Sequence, residues 1–376
     1  MVFPTNRLLI QVVPRLKPGR CGVSDQAILL AGELKAAFGI DTAFVVLNSK
    51  EPCDVPFLAV HCAPSRLRQE CLSLSEGRPG AILLHLSGYG YSADGAPTLL
   101  AEALANVRAD GRFRIAVYFH ELFATGMPWR SAFWYSRRQR KAVCRIAGEC
   151  DLLVTSTRHH ADWLEREPVR RTATPVRLLP VFSAAGETQE PVPAVRRESV
   201  MTVFGLAATR QRAYKELPEL GSMLQGLGIR KIFDIGPDFD APSELNGIPV
   251  RRMGALATAD LAGLLSRSML GFVPHAPFSL AKSSIFASYC AQGTVPVLAA
   301  HFSGEVDGLK DGVHLVSPQT ANDVQASGLE QCSIEAWRWY SGHKLHVHAA
   351  TYARWLDQPQ TEDKITSCVA AKAEER

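Results

Sequence analysis

Short apolar runs rich in β-branched residues recur along this chain, and each is followed by a stretch with helical spacing. That alternation confines the chain to α/β layering around parallel sheets. In the first half the strand candidates are RLLIQVV (7–13), TAFVVL (42–47), AILLHL (81–86), RIAVYF (114–119) and DLLVTS (151–156). They are continuously apolar rather than alternating, so both faces of each strand are expected to be covered. Between them, SDQAILLAGELKAAFG predicts a helix with Ser24 as N-cap and Gly39 as its stop. APTLLAEALANVRAD and RRQRKAVCRIAGEC predict two more. Residues 183–198, SAAGETQEPVPAVRRE, break the rhythm. They are polar, rich in Pro and Ala, and predict a linker. A second series follows: SVMTVFG (199–205), KIFDIG (231–236), IPVRRMG (248–254), LGFVPH (270–275) and TVPVLA (294–299). Helices are predicted over ELPELGSMLQGLG, ATADLAGLLSRS and KSSIFASYCAQG. IEAWRWYSGHKLHVHAATYARWL predicts one long amphipathic helix, and the charged tail from Gln358 a frayed end.

The expected division is a first domain over 1–182 and a second over 199–332. At 376 residues, 47% hydrophobic and 21% charged, the chain is long enough for two cores. A net charge of only +4 gives no argument for a nucleic-acid partner, and none is expected. The nine cysteines form no CxxC pair, which predicts reduced thiols in a cytoplasmic protein and no structural zinc. MVFPTNRLLIQVVP lacks a basic front and a small-residue cleavage site, and no run reaches the length of a membrane span. The expectation is a soluble protein, at most resting on the inner membrane surface.

Open parallel sheets bind ligands at the carboxyl ends of their strands, so the loops there carry the functional argument. PRLKPGRCGVSD offers Gly19 and Gly22 for close backbone approach, Arg20 for charge, and a helix start. It does not have the G-x-G-x-x-G spacing, and a plain glycine turn is the competing reading. LSGYGYSADGAP alternates Gly88 and Gly90 with Tyr89 and Tyr91, either a platform for a sugar or a turn with packed tyrosines. VYFHELF places His120 and Glu121 at a strand end; Ala124 stands where a metalloprotease HExxH would need its second His. His120 is the candidate to hydrogen-bond a substrate hydroxyl. In FGLAATRQRAYKEL, Gly205 is followed by Arg210, Arg212 and Lys215, which can neutralise a diphosphate or form a solvated basic face. Gly236 in DIGP ends the next strand. In GFVPHAPFSLAKSSIFASY, His275 precedes Lys282, Ser283 and Ser284 at a helix start. Dipole, lysine charge and hydroxyls together suit a pyrophosphate there; an N-cap serine beside a surface lysine is the rival.

Three segments carry a family resemblance. PGRCGVSDQAILLAGEL resembles the opening strand-loop-helix of the GT-B glycosyltransferases of the family 4 type. YFHELF resembles their strand-end His segment, and GFVPHAPFSLAKSSIFASYCAQGTVPVLA their donor-site strand, helix and Gly-x-Pro-Val turn. The resemblance covers 7–355. It implies two Rossmann-like domains facing a central cleft, with the C-terminal helix (333–357) packing back on the first. It also implies retaining transfer from a UDP- or GDP-linked sugar, with no cofactor and no metal. By it, His120 contacts the transferred sugar, Gly22 approaches the donor phosphates or the acceptor, and Arg210 and Lys215 stabilise the leaving diphosphate. Gly205, Arg212, Gly236, His275, Lys282, Ser283 and Ser284 complete the expected donor side; Arg20, Tyr89, Tyr91 and Glu121 form the acceptor side. This sequence departs from the family at Leu280 and Ser288, where glutamates are usual.

The expected activity is sugar transfer to a glycan, lipid-linked or small-molecule acceptor. The missing glutamates keep open a catalytically silent nucleotide-sugar binder, and the fold also admits a nucleotide-sugar epimerase. WRSAFWYSRRQRKAVCR (129–145) is basic and aromatic, either a membrane-surface helix or an ordinary solvated face.

Overall fold

The computed structural model describes residues 7–49, 51, 54–124, 131–166, 174–237, 239–321 and 326–358. Seven parallel strands form the first sheet: β1 (Arg7–Val13), β2 (Ile40–Val46), β3 (Leu58–His61), β4 (Gly80–Leu86), β5 (Phe113–Phe119), β6 (Leu152–Thr155) and β7 (Val176–Leu178). Their order is β3-β2-β1-β4-β5-β6-β7, so the topology reverses between β1 and β4. The helices of this half are α1 (Gly22–Phe38), α2 (Leu67–Leu74), α3 (Gly88–Tyr91), α4 (Thr98–Asp110), α5 (Ser131–Gly148) and α6 (Arg158–Arg166).

The second sheet has six strands in the order β10-β11-β9-β8-β12-β13. They are β8 (Glu198–Phe204), β9 (Lys231–Ile235), β10 (Glu244–Leu245), β11 (Ile248–Gly254), β12 (Ser268–Phe272) and β13 (Val295–Val297). All pair in parallel except β10, which lies antiparallel on β11. Its helices are α7 (Ala207–Glu216), α8 (Gly221–Gly226), α9 (Thr258–Arg267) and α10 (Ser284–Gln292). A ribbon of β14 (Glu305–Val306) and β15 (Leu309–Lys310) precedes α11 (Ala326–Ser341) and α12 (Leu345–Asp357).

The central strands β1, β4, β5 and β6 are buried nearly throughout, as continuous apolar runs require. Three local expectations are corrected. Ser24 does not cap α1. The helix begins at Gly22 from an extended Cys21, and the Ser24 hydroxyl donates to Arg15 O at 2.9 Å and accepts from Lys17 N at 3.1 Å. It closes the preceding loop instead. The long C-terminal helix is two helices, α11 and α12. Gly342 weakens helical continuity there, and His343 turns in against the rings of Trp339 and Tyr340, 4.4 and 5.2 Å between centroids. ELPELGSMLQGLG is a 3-10 turn (Leu217–Leu220) followed by the short α8 rather than a single helix.

Residues 183–198 hold no strand before Glu198 and are fastened to the C-terminal helices. Glu187 accepts from the Tyr340 hydroxyl and from Leu345 N, and Trp337 Nε1 donates to Thr188 O at 3.3 Å. The helix α12 packs on α1, with His346 Nδ1 2.8 Å from Glu33 and Arg114 stacked over Trp355 at 4.7 Å. Residues 1–6, Cys53, Trp129, Arg130 and the tail from residue 359 lie outside the described residues, and so do the expectations placed on them. No disulfide joins the described cysteines. Among the described residues no helix is long and apolar enough to cross a membrane.

Candidate functional site

A cavity of about 940 Å³ opens between the carboxyl edges of the two sheets. The first sheet contributes three loops to it. After β1, Gly19 turns with φ +68° and donates its N–H to Asp25 Oδ1 at 2.7 Å. Gly19, Gly22, Asp25 and Gln26 then line one wall. Burial pushes the Asp25 carboxyl up despite that hydrogen bond. After β4, Ser87 reaches the cavity, and after β5, His120 and Glu121 do.

The second sheet contributes two glycine turns and a helix start. Gly205 follows β8 with φ +136°, and Gly236 follows β9 with φ +143°. A Cβ on Gly236 would stand 2.2 Å from Gly205 O, so the turns touch through bare backbone. Both line the cavity, as do Arg212, His275, Lys282, Ser283 and Ser284. A 3-10 turn, Pro277–Lys282, carries the chain into α10. Ser283 caps that helix: its hydroxyl oxygen accepts from Phe286 N at 3.2 Å and lies 3.0 Å from His275 Nδ1. Burial, with Arg212 and Lys282 nearby, holds His275 down at about 4, so the ring is neutral at pH 7. Lys282 Nζ lies 3.9 Å from Glu121 Oε1 and so bridges the two halves.

The walls differ in charge. Among the described residues, those lining the cavity from the second sheet include Arg212 and Lys282 and no carboxylate. Those of the first sheet include Asp25 and Glu121 and no lysine or arginine. One wall therefore suits an anion, the other hydroxyl groups. Among the described residues no group of three or more His, Cys, Asp or Glu could hold a metal ion.

Of the residues expected at the site, Gly22, His120, Glu121, Gly205, Arg212, Gly236, His275, Lys282, Ser283 and Ser284 meet around this one cavity. Five do not line it. Arg210 is buried, 1% exposed, beneath the glycine turns. Its Nε donates to Gly205 O at 3.0 Å, Nη2 to Pro237 O, and Nη1 pairs closely with Asp234. Every nitrogen is spent on holding those turns, so none faces a leaving group. Lys215 and Arg20 are exposed outside the cavity. Tyr91 turns inward and donates to His85 O at 3.0 Å and Val12 O at 3.2 Å. Tyr89 lines a smaller neighbouring cavity of about 260 Å³, where its hydroxyl accepts from Gln139 Nε2 at 3.1 Å. Glu121 and Lys282 line both cavities.

Two residues behind His120 escaped the sequence reading. His85 Nδ1 lies 3.2 Å from His120 Nε2, and His85 Nε2 lies 2.7 Å from Gln11 Oε1. The signal was there: each is a polar side chain inside an otherwise apolar strand.

No family model and no curated protein sequence matches the chain. Solved structures do. A trehalose-6-phosphate synthase, OtsA, superposes with a TM-score of 0.60 at 12% identity, over 94% of this chain and 99% of that one. An α,α-trehalose 6-phosphate synthase from Burkholderia multivorans gives 0.57 at 13% identity, over 98% and 100%. An α-glucosyltransferase in complex with UDP and a 13-mer DNA gives 0.59 at 10% identity, over 94% and 99%. The chain has their fold. In GT-B terms, the two parallel sheets and the cleft between them are the architecture expected from the sequence. At the positions where the resemblance implied glutamates, this chain buries Leu280 and Ser288, 1% and 0% exposed. The Ser288 hydroxyl donates to Ser284 O at 2.7 Å and lies 3.2 Å from Ser183 Oγ, so this position serves packing.

Proposed function

We propose that this protein is a glycosyltransferase that moves a sugar from a nucleoside-diphosphate donor to a hydroxyl-bearing acceptor. One observation carries the reading: the cavity's second-sheet wall combines Arg212, Lys282 and the capped start of α10, with no carboxylate among the described lining residues, opposite His120. A diphosphate at that wall gains from fixed cations and free helix N–H groups together. Both terms grow in value as charge develops on the leaving group. The touching turns at Gly205 and Gly236 leave backbone open to the nucleoside, with Leu256 and Leu261 as apolar lining. His120 and Glu121 stand where the transferred sugar and the acceptor would meet.

In this reading the donor is UDP- or GDP-linked, transfer retains configuration, and protein cations serve in place of a metal. The acceptor is a glycan, a lipid-linked compound or a small molecule. The protein works in the cytoplasm, with α5 against an anionic membrane face; Trp134 on that helix is 70% exposed, and Arg137 and Lys141 are exposed beside it. The burial of Ser288 and Leu280, with no carboxylate among the described residues of the donor wall, supports a second reading, a binder of nucleotide sugars without turnover.

The test is calorimetry with UDP and GDP, followed by a nucleotide-sugar panel read for nucleoside-diphosphate release. Binding of one nucleotide is expected, weakened in Lys282→Ala by about 1–3 kcal/mol, the range for a charged hydrogen bond. Binding without release across acceptors would select the second reading. No binding of either nucleotide would defeat both.

A further inference from the structure

The side chain of Gln11 sits in the middle of β1, wholly buried, and that of His85 near the end of β4, 3% exposed. Neither lines the cavity, yet both connect to His120, an imidazole that does. The chain of contacts runs Ala27 O, Gln11, His85, His120.

Each proton in that chain follows from the one before. Ala27 O is a carbonyl and can only accept, so the Gln11 atom 3.2 Å from it is the donating Nε2. Gln11 Oε1 must then face His85, at 2.7 Å from its Nε2. A carbonyl oxygen accepts, so His85 Nε2 carries a proton. Burial holds His85 down at about 3, with His348 adding to the effect, so the ring is neutral. Its Nδ1 therefore bears a lone pair. The contact from His85 Nδ1 to His120 Nε2, at 3.2 Å, needs a proton on one side. Only His120 can supply it. Burial and the neighbouring His85 and His348 likewise hold His120 neutral. Its remaining nitrogen, Nδ1, is then unprotonated.

We propose that Gln11 and His85 are positioning residues that fix His120 as its Nε2–H tautomer, so that His120 meets a ligand hydroxyl as an acceptor through Nδ1. The ring stack supports the same orientation: His120 lies 5.4 Å from His85 and 4.6 Å from Tyr118 between centroids. Tyr118 is itself tethered by its hydroxyl to Leu179 O at 2.9 Å. The ligand half of this inference rests on the transferase reading of the cavity. The tautomer half does not.

Nitrogen-15 NMR of the ligand-free, full-length protein tests it, with His120→Asn used to assign the signal. At pH 7 both His85 and His120 are expected as neutral rings protonated on Nε2 alone. An Nδ1–H tautomer, or an imidazolium, at either position would overturn the proposal. His85→Phe keeps an aromatic ring in the stack but removes the acceptor. There His120 is expected to become a mixture of tautomers and to titrate nearer the ordinary histidine range. A pure Nε2–H tautomer retained in a folded His85→Phe protein would also overturn it. If that variant does not fold, the wild-type spectrum still decides. These signals are read without ligand, so failed nucleotide binding would count against the transferase reading and leave the relay standing.

Discussion

Arg210 shows how far a residue's meaning depends on what faces it. Two basic residues after a glycine turn read alike in sequence, but in α7 Arg210 falls on the buried side and Arg212 on the exposed side. The partner is Asp234, a carboxylate within the apolar β9, also buried. A buried carboxylate demands a buried cation, and that demand in KIFDIG was the available signal. The arginine's work is structural: it ties Gly205 O, Pro237 O and Asp234 into one support under both turns. Arg210→Met should therefore cost about 3–5 kcal/mol of stability, because it strands Asp234 without its cation. Exposed Lys215, changed to Ala, should stay within about 0.5 kcal/mol of wild type. Urea unfolding of both variants checks this. An Arg210→Met protein as stable as wild type would mean that the ion pair holds nothing in place.

At the scale of elements, the sequence was most readable where burial was most complete. The central strands announced themselves because both faces are covered and every position is apolar. Three strands of the two large sheets left no such mark. β3 is half exposed at the sheet edge, β7 is three residues long, and β10 has only two. Short edge strands take their pairing from a neighbour rather than from their own pattern. The cavity-lining glycines, His120 and the Lys-Ser-Ser start of α10 were legible because they sit in the connections that follow strands. The arginine support and the Gln11–His85 chain were not, because they depend on pairing across elements distant in sequence. How α10 is seated could not be read either. Tyr289 lies flat over β12, its hydroxyl donating to Thr202 O at 2.9 Å. A Cβ on Gly271 would come 2.4 Å from that ring. The strand accepts the helix at this distance only because residue 271 has no side chain. Gly271→Ala should lift α10 from the sheet and cost about 1–3 kcal/mol, the usual penalty of overpacking. Thermal unfolding would show it as a lowered midpoint, and an unchanged midpoint would mean the helix has room to spare.

Across the whole molecule, one core cluster and a set of buried histidines join the two halves. A continuous cluster runs from Leu9 and Tyr118 of the first sheet through Phe182 to Phe286 and Tyr340 of the second half. His348, on α12, donates its Nε2–H to Pro180 O, 2.9 Å away, and is held down at about 4 by burial. Pro180 O can only accept, so His348 Nε2 carries the proton and the ring is neutral at pH 7. His85 and His343 are both held down at about 3, again chiefly by burial. These rings bind a proton less readily in the folded chain than in the unfolded one, where the ordinary value near 6.5 applies. Between about pH 6.5 and pH 4 the unfolded chain therefore holds more protons, and stability must fall as the pH falls. Each ring that stays neutral contributes a slope of up to about 1.4 kcal/mol per pH unit across that window. The loss should begin above the range where most carboxylates titrate, which separates it from ordinary acid unfolding. Urea midpoints at pH 7, 6 and 5 should decline steadily, and His348→Gln, which keeps a hydrogen bond to Pro180 O without a titrating ring, should flatten part of that decline. A midpoint constant from pH 7 to pH 5 would show that these histidines are reached by water and protonated without opening the junction between the halves.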